Sequence, residues 1–179
     1  FDLHNLIAIT GTNGKTSVSW YVHQILILNN IKSSYFGTIG RFVNNKKISD
    51  LETTTLDICS FYRFIHEHSQ KNSNNIVFEA SSHGLKQKRI AGLPINIAAI
   101  TNISHDHLDY HGTFKNYKKT KLKLFEDYLN ENGIAIINSN LKIKNIINKK
   151  ILKKFIKIIT YGTSSSNIFI YKKKSIFFI

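Results

Sequence analysis

The chain has 179 residues, 42% of them hydrophobic and 12% aromatic, and a formal net charge of +14. That length and apolar content fit one ordinary domain with a real core and exclude a disordered tail or two full-sized domains. No apolar run reaches the ~18 residues of a membrane-spanning helix and no signal peptide opens the chain, so neither a membrane nor export is expected. Residues 6–10 predict a buried strand, broken by a glycine-rich turn at 11–14. Residues 15–28 follow with Val18, Tyr21, Val22, Ile25 and Leu28 at the spacing of one helix face. A strand is predicted over 34–39, then a polar loop or hairpin over 41–50. Residues 56–68 predict a helix with Ile58, Phe61, Phe64 and Ile65 on one side. Residues 76–80 predict a buried strand ending in a Ser-Ser-His-Gly turn, and 95–103 a longer one before a loop rich in His and Asp. Thr113 suits the cap of a helix running to about 129, with Phe114, Tyr117, Leu124 and Phe125 as candidate core positions. Gly133 would stop that helix before a strand at 134–137. The rest predicts a Lys/Ile-rich helix, a strand near 156–161, and β-like runs at 168–171 and 175–179.

Strands alternating with helices argue an α/β fold: a mostly parallel sheet flanked by helices, with a short β-rich C-terminal segment. In such sheets a ligand sits beyond the carboxyl ends of the strands. Each unusual polar cluster, at 11–17, 79–84 and 102–111, follows a predicted strand. No linker divides the chain, which reads as one domain.

Residues 11–17, GTNGKTS, leave a strand and open a helix. Gly11, Thr12, Asn13, Gly14, Lys15, Thr16 and Ser17 therefore read as a phosphate-binding loop: glycines admit the phosphates and the first helical turn aims its N–H groups at them. Lys15 would reach the β- and γ-phosphates of ATP, and the Thr16 hydroxyl would bind Mg2+. The full Walker pattern wants glycine at position 9, where Ile9 stands. Glu79 ends an apolar strand, where a buried carboxylate needs a metal, an arginine or backbone donors. Residues 105–111 hold three His and two Asp. Zinc is one reading of that loop and solvated histidines another, but no cysteine completes a zinc set.

The charge is uneven. Residues 1–114 carry a net +2 and residues 115–179 a net +12, from 15 lysines and no arginine. Readers of bases lean on arginine, yet the chain has 22 Lys and 3 Arg. Lys, Ile and Asn, all with A/T-rich codons, make 70 of the 179 residues. The charge therefore reads as compositional drift on solvated faces, with a docking surface for an acidic partner as the alternative, and no nucleic-acid partner is expected. Cys59 is alone and cannot form an internal disulfide, so a reducing, cytoplasmic setting is expected. Methionine is absent even at position 1, and the chain reads as a piece of a longer product.

Three segments in order, 11–17, EASSHGL at 79–85 and TNISHDHLDYHG at 101–112, resemble the Mur ligase family. The last two resemble the branch that adds the third residue of the peptidoglycan stem peptide. The resemblance runs through at least Phe125. It implies the central ATP-binding domain of an ATP-dependent amide ligase, acting as a monomer. An acceptor, UDP-N-acetylmuramoyl-L-alanyl-D-glutamate, is activated as an acyl phosphate and then joined to a diamino acid. It implies that residues 1–179 stop short of that domain's end, without the UDP-binding and amino-acid-binding domains on either side. On this basis the chain alone is expected to bind ATP weakly and not to ligate. It further implies Thr16 and Glu79 on one Mg2+ and His107 on a second that Glu79 also approaches. Tyr117 and Lys121 match a Y-x-x-x-K segment whose lysine is carbamylated in relatives, and Lys118 and Lys119 would help depress its pKa by like-charge repulsion. Thr53, Thr54, Thr55, Ser81, Gln87 and Arg89 resemble the acceptor-binding positions, although Leu56 stands where proline is common. His105 stands where relatives usually carry arginine and receives no role. Three other readings remain: a folate polyglutamate ligase, which should not carry these two strings, a basic P-loop NTPase acting on nucleic acid, and a nucleotide-binding remnant without activity.

Overall fold

Short apolar runs between polar turns become the strands of one sheet, and the periodic segments between them become its covering helices. The computed structural model describes residues 5–51, 53–69, 75–141, 143, 147, 156–162 and 166–169. In chain order these form β1 (Asn5–Thr10), α1 (Lys15–Leu28), β2 (Ser33–Gly37), β3 (Gly40–Val43), β4 (Lys46–Ser49), α2 (Ile58–Ser69), β5 (Asn75–Glu79) and α3 (Ser82–Lys86). Then come β6 (Ile95–Ile100), α4 (Leu108–His111), α5 (Phe114–Lys123), β7 (Leu129–Asn138), β8 (Lys157–Gly162) and β9 (Ile168–Phe169). The strands make a nine-stranded sheet in the order β4-β3-β2-β5-β1-β6-β7-β8-β9 among the described residues. Only β3 and β4 run antiparallel to their neighbours; every other pairing is parallel. The mostly parallel α/β fold read from the sequence is the fold observed.

One face carries most of the core. Phe36, Phe61, Phe64 and Phe78 pack there with Leu6, Ile76, Leu85, Ile90, Ile100 and Phe125, all buried. Phe36 stacks on Phe78 at 5.0 Å and takes the edge of Phe61 at 4.7 Å. The opposite face buries Ile7, Ile9 and Val77 under Val22 and Leu26 of α1. Strand β1 lies between β5 and β6, so the three loops leaving their carboxyl ends meet at one edge.

Residues 41–50 take the hairpin alternative of the sequence reading, and the hairpin extends the sheet beyond β2. Three other details depart from that reading. On α1 most of the predicted apolar set lies on the outer face: Val18, Tyr21, Ile25 and Leu28 are exposed and Val22 packs against the sheet, whereas Ser19 and His23 are buried. His23 reaches Ser33 Oγ at 3.0 Å and the Asn44 carbonyl at 3.1 Å, so a polar contact with β2 and the hairpin holds the inner face. The helix capped by Thr113 ends at Lys123 and passes into a π turn, Leu124–Tyr128. Gly133 therefore stops no helix; it lies inside β7, at the irregularity where the register against β6 jumps from Leu129 to Ile134. Finally, the strands predicted over 34–39 and 95–103 end earlier, at Gly37 and Ile100.

Ile143 and Ile147 are buried and joined by a helical-type hydrogen bond; most of the predicted Lys/Ile-rich helix, and the run at 175–179, lie outside the described residues. No described helix is long and apolar enough to cross a membrane. Phe78→Ala removes the ring at the centre of the aromatic cluster. It should cost about 3–5 kcal/mol of stability, read from urea unfolding followed by circular dichroism; a loss below about 1 kcal/mol would contradict this packing.

Candidate active site

The glycine-rich turn is held from across the sheet. Thr12 N–H donates to the Asn102 carbonyl at 2.9 Å, and Asn13 N–H to Asn102 Oδ1 at 2.9 Å. Asn102 Nδ2 and Thr101 Oγ1 both donate to the Asn13 carbonyl, at 2.9 and 2.6 Å. Thr12 Oγ1 accepts from Ser104 N–H at 2.9 Å and meets the Tyr117 hydroxyl at 3.0 Å. Gly11 has φ of 149°, and a Cβ there would overlap the Thr101 hydroxyl; only glycine fits this crossing. The loop after β6 is thus a clamp on the loop after β1. Lys15 opens α1 and donates back to the carbonyls of Gly11 and Thr12, at 3.1 and 2.8 Å. Burial lowers its pKa, and the charges of Glu79 and Asp106 oppose that fall.

Glu79 is wholly buried at the end of β5. Its Oε1 accepts from the Tyr35 hydroxyl at 2.8 Å and Thr38 N–H at 2.7 Å; Oε2 accepts from Thr16 Oγ1 at 2.8 Å and Thr38 Oγ1 at 3.3 Å. Gly37 makes room, since a Cβ there would collide with the Glu79 carboxylate. Every donor is neutral, and no ion pair among the described residues reaches Glu79. Burial, then the carboxylate beside it, pushes the Tyr35 phenol well above its usual range, so it stays a donor.

A cavity of about 360 Å³ opens beyond these strand ends, lined by Lys15, Thr53, Thr54, Ser81, Ser82, His83, Arg89, His107, Tyr117 and Lys121. Lys121 is 1% exposed, donates to the Gly11 carbonyl at 2.7 Å and lies 4.7 Å from the Tyr117 ring centre. Its pKa is lowered to about 7, first by burial and then by the charge of Lys15, with Asp106 opposing. The adjacent lysines 118 and 119 are not the cause: α5 turns Lys121 inward, away from the solvated face. His107 takes a left-handed backbone, φ 49°, and its Nε2 lies 3.4 Å from Asp106 Oδ2. A non-glycine residue in that region is strained, a feature that clusters at functional sites.

Of the residues singled out in the sequence, Lys15, Thr53, Thr54, Ser81, Arg89, His107 and Lys121 share this cavity, and Thr16 joins through Glu79. Gly14, Asn13 and Ser17 are exposed at the loop and first turn of α1. Thr55 and Gln87 do not line the cavity. The Thr55 carbonyl accepts from Arg89 Nη1 at 2.9 Å and Gln87 Oε1 from Arg89 Nε at 2.7 Å, so both set the guanidinium. His105 stacks on Phe114 at 4.4 Å. Sequence reasoning missed Tyr35 and Thr38, whose spacing from Glu79 gives no signal, and His83, which lay within a quoted motif.

The depressed Lys121 amine has a consequence for stability. The unfolded chain keeps a lysine protonated up to about pH 10, whereas the folded chain releases this proton near 7. Between those values the unfolded state binds more protons, so this group's contribution to stability rises with pH; below 7 the burial penalty is fully present. Lys121→Met removes the effect. The urea midpoint of the parent chain should gain on that of Lys121→Met from pH 7 to 9; parallel profiles would refute a buried, neutralisable amine.

Comparison with known proteins places this geometry. Residues 9–177 match the Mur ligase middle domain. The UDP-N-acetylmuramoyl-L-alanyl-D-glutamate–2,6-diaminopimelate ligase of Rickettsia montanensis is 46% identical over 161 residues, which are 88% of this chain and 34% of that protein. A solved structure of a ligase of that name superposes with a TM-score of 0.79 at 31% identity, covering 92% of this chain and 34% of the other. A bifunctional folylpolyglutamate synthase/dihydrofolate synthase, solved with Mn, AMPPNP and L-glutamate bound, shares the fold alone, with a TM-score of 0.65 at 14% identity over 90% of this chain and 44% of its own. The chain spans about a third of the length of the curated relatives it matches. By the match over nearly all its residues, the chain belongs to the Mur ligase family.

Proposed function

We propose that this chain is the ATP-binding, acyl-activating part of a peptidoglycan precursor ligase that adds a diamino acid to UDP-N-acetylmuramoyl-L-alanyl-D-glutamate. The observation that carries the reading is one cavity in which the P-loop lysine, Lys15, faces Arg89, Thr53, Thr54 and Ser81. A phosphate donor at the loop and a carboxylate acceptor at Arg89 would thereby meet within one volume. The name of the 46% identical relative supports the acceptor and the amino acid class. ATP as co-substrate and the single cysteine fit action in the cytoplasm.

In this reading Gly11, Thr12, Asn13, Gly14, Lys15, Thr16 and Ser17 hold the triphosphate, with backbone N–H groups and the start of α1 aimed at it. Arg89, its fork preset by Thr55 and Gln87, holds an acceptor carboxylate. The acceptor's free D-glutamate carboxylate attacks the γ-phosphorus, ADP leaves, and the incoming amine displaces phosphate from the acyl phosphate. Positioning and charge stabilisation do most of this work, and Lys15 offsets charge building on the transferred group. Thr16 and Glu79 offer a hydroxyl and a carboxylate oxygen 2.8 Å apart, hard donors that fit magnesium, and the buried carboxylate lacks a cationic side-chain partner in the ion pairs described. Mg2+ held by Thr16, Glu79, His107 and a carbamylated Lys121 would supply further neutralisation of the phosphates. Lys121 can be carbamylated only as the free amine, which its pKa of about 7 makes available near neutrality.

Calorimetry on this chain should show magnesium-dependent ATP binding that Lys15→Ala weakens at least tenfold, or about 1.4 kcal/mol. Arg89→Ala should leave ATP binding intact and abolish binding of L-alanyl-D-glutamate. Binding of a folate or single-stranded DNA in preference to the dipeptide would overturn the reading. Incubation with 13C-bicarbonate should yield a carbamate resonance that grows as the pH passes 7 and is absent in Lys121→Arg; a signal unaffected by that substitution would remove Lys121 from the metal set.

A further inference from the structure

A separate cavity, of about 230 Å³, opens beside α5 and is lined by Lys86, His111, Asn116, Lys119, Thr120 and Lys123. Asn116, Lys119, Thr120 and Lys123 recur at helical spacing and share a face, whereas Tyr117 and Lys121 line the first cavity instead. His111 is 4% exposed, and neither of its ring nitrogens has a hydrogen-bond partner among the described residues. A buried imidazole N–H left unpaired costs free energy that a ligand acceptor would recover. The ring is held by packing, with Tyr110 at 4.9 Å and Tyr117 at 5.2 Å. Lys86 is pinned nearby: its ammonium donates to the Tyr110 carbonyl at 2.9 Å and sits 4.1 Å from the Tyr110 ring centre. No ion pair among the described residues uses Lys86, Lys119 or Lys123, and no described carboxylate lines the cavity. Three uncompensated ammoniums and an unpaired imidazole around so small a volume call for an anion. Lysines bind phosphate as point charges, whereas a carboxylate is best matched by the planar fork of arginine, which this cavity lacks. The donors also come from three helices, α3, α4 and α5, and approach from different directions, which suits a tetrahedral oxyanion better than a flat carboxylate.

We propose that this cavity is a second phosphate site: the His111 imidazole donates to one oxygen of a phosphate group, and Lys86, Lys119 and Lys123 neutralise its charge. The site is distinct from the phosphate-binding loop, because none of Gly11–Ser17 lines it. It depends neither on the ligase reading nor on the acceptor assigned to Arg89. The two phosphate positions are separated by one ring, since His111 packs on Tyr117, whose hydroxyl meets Thr12 Oγ1 of the loop at 3.0 Å.

The test follows amide NMR shifts of this chain at constant ionic strength, with inorganic phosphate, glycerol phosphate, acetate and chloride as probes. Phosphate should move the signals of Lys86, His111, Asn116, Thr120 and Lys123 to saturation, and acetate and chloride should not. The same shifts should survive Lys15→Ala, which strips the phosphate-binding loop of its cation. His111→Phe keeps an aromatic ring, removes both nitrogens and should weaken phosphate about tenfold. Should that variant lose its folded spectrum, Lys119→Gln combined with Lys123→Gln should give at least the same loss while the rest of the spectrum stays unchanged. Glycerol phosphate binding as tightly as inorganic phosphate assigns the cavity to the phosphate of a larger ligand; binding weaker by about tenfold assigns it to the free ion. Shifts that never saturate, an equal response to acetate, loss of the shifts in Lys15→Ala, or full affinity in the lysine pair would overturn the second site.

Discussion

One buried carboxylate organises the site. Glu79 ends β5 with no solvent exposure, and an ionised carboxylate in such a place is tolerable only with its oxygens satisfied. Four donors do this, and they come from three places: Tyr35 on β2, Thr38 just after it, and Thr16 on the first turn of α1. The carboxylate thereby ties the end of β2, the end of β5 and the start of α1 into one rigid corner. Gly37 belongs to the same constraint, because any side chain there would displace the carboxylate. The hydrogen bond from Thr16 also fixes the rotation of α1 about its axis, and so the direction in which Lys15 points.

The second tie acts on the other side of β1. Thr101 and Asn102, leaving β6, take up the polar groups of Thr12 and Asn13, so the glycine-rich turn is braced by three side-chain hydrogen bonds. Thr12 is in turn bonded to Tyr117 of α5, the helix that carries Lys121. A chain of short contacts therefore runs from Glu79 through α1 and the turn to α5. Of these, α1 contributes Lys15 to the cavity and α5 contributes Tyr117 and Lys121, and each helix is positioned by a neighbour rather than by its own loop.

Much of this was legible in the sequence because local patterns and long motifs agreed. The strand–turn–helix at 6–28 carries its glycines and lysine in order, and the strand ending in Glu79 is otherwise apolar. What escaped the sequence is tertiary. Helical spacing located α1 but not its buried face: the stripe of Tyr21, Ile25 and Leu28 points outward, because His23 finds hydrogen-bonding partners underneath and Ser19 bonds back to the Lys15 carbonyl of its own helix. Periodicity reports which residues share a face, not which face the sheet receives. Gly133 looked like a helix stop because glycine breaks helices locally, whereas here it absorbs a register jump between two strands. Thr38 and Tyr35, which donate to Glu79, lie 41 and 44 residues away from it and have no spacing to betray them.

The two lysines of the cavity show how placement divides chemistry between identical side chains. Lys15 and Lys121 donate to the same carbonyl, that of Gly11, so each disfavours the other's charge. Burial lowers both, but Lys15 has Glu79 and Asp106 to hold its proton, whereas Lys121 has Asp106 alone and the repulsion of Lys15. Lys121 is also the more deeply enclosed, at 1% exposure, while the Lys15 side chain lies partly open at the loop. The proton therefore leaves Lys121 first. The proposed function needs both states, a cation for a phosphate and a free amine for carbamate formation. Depth of burial makes the first difference between them, and the charge of Glu79 beside Lys15 adds to it.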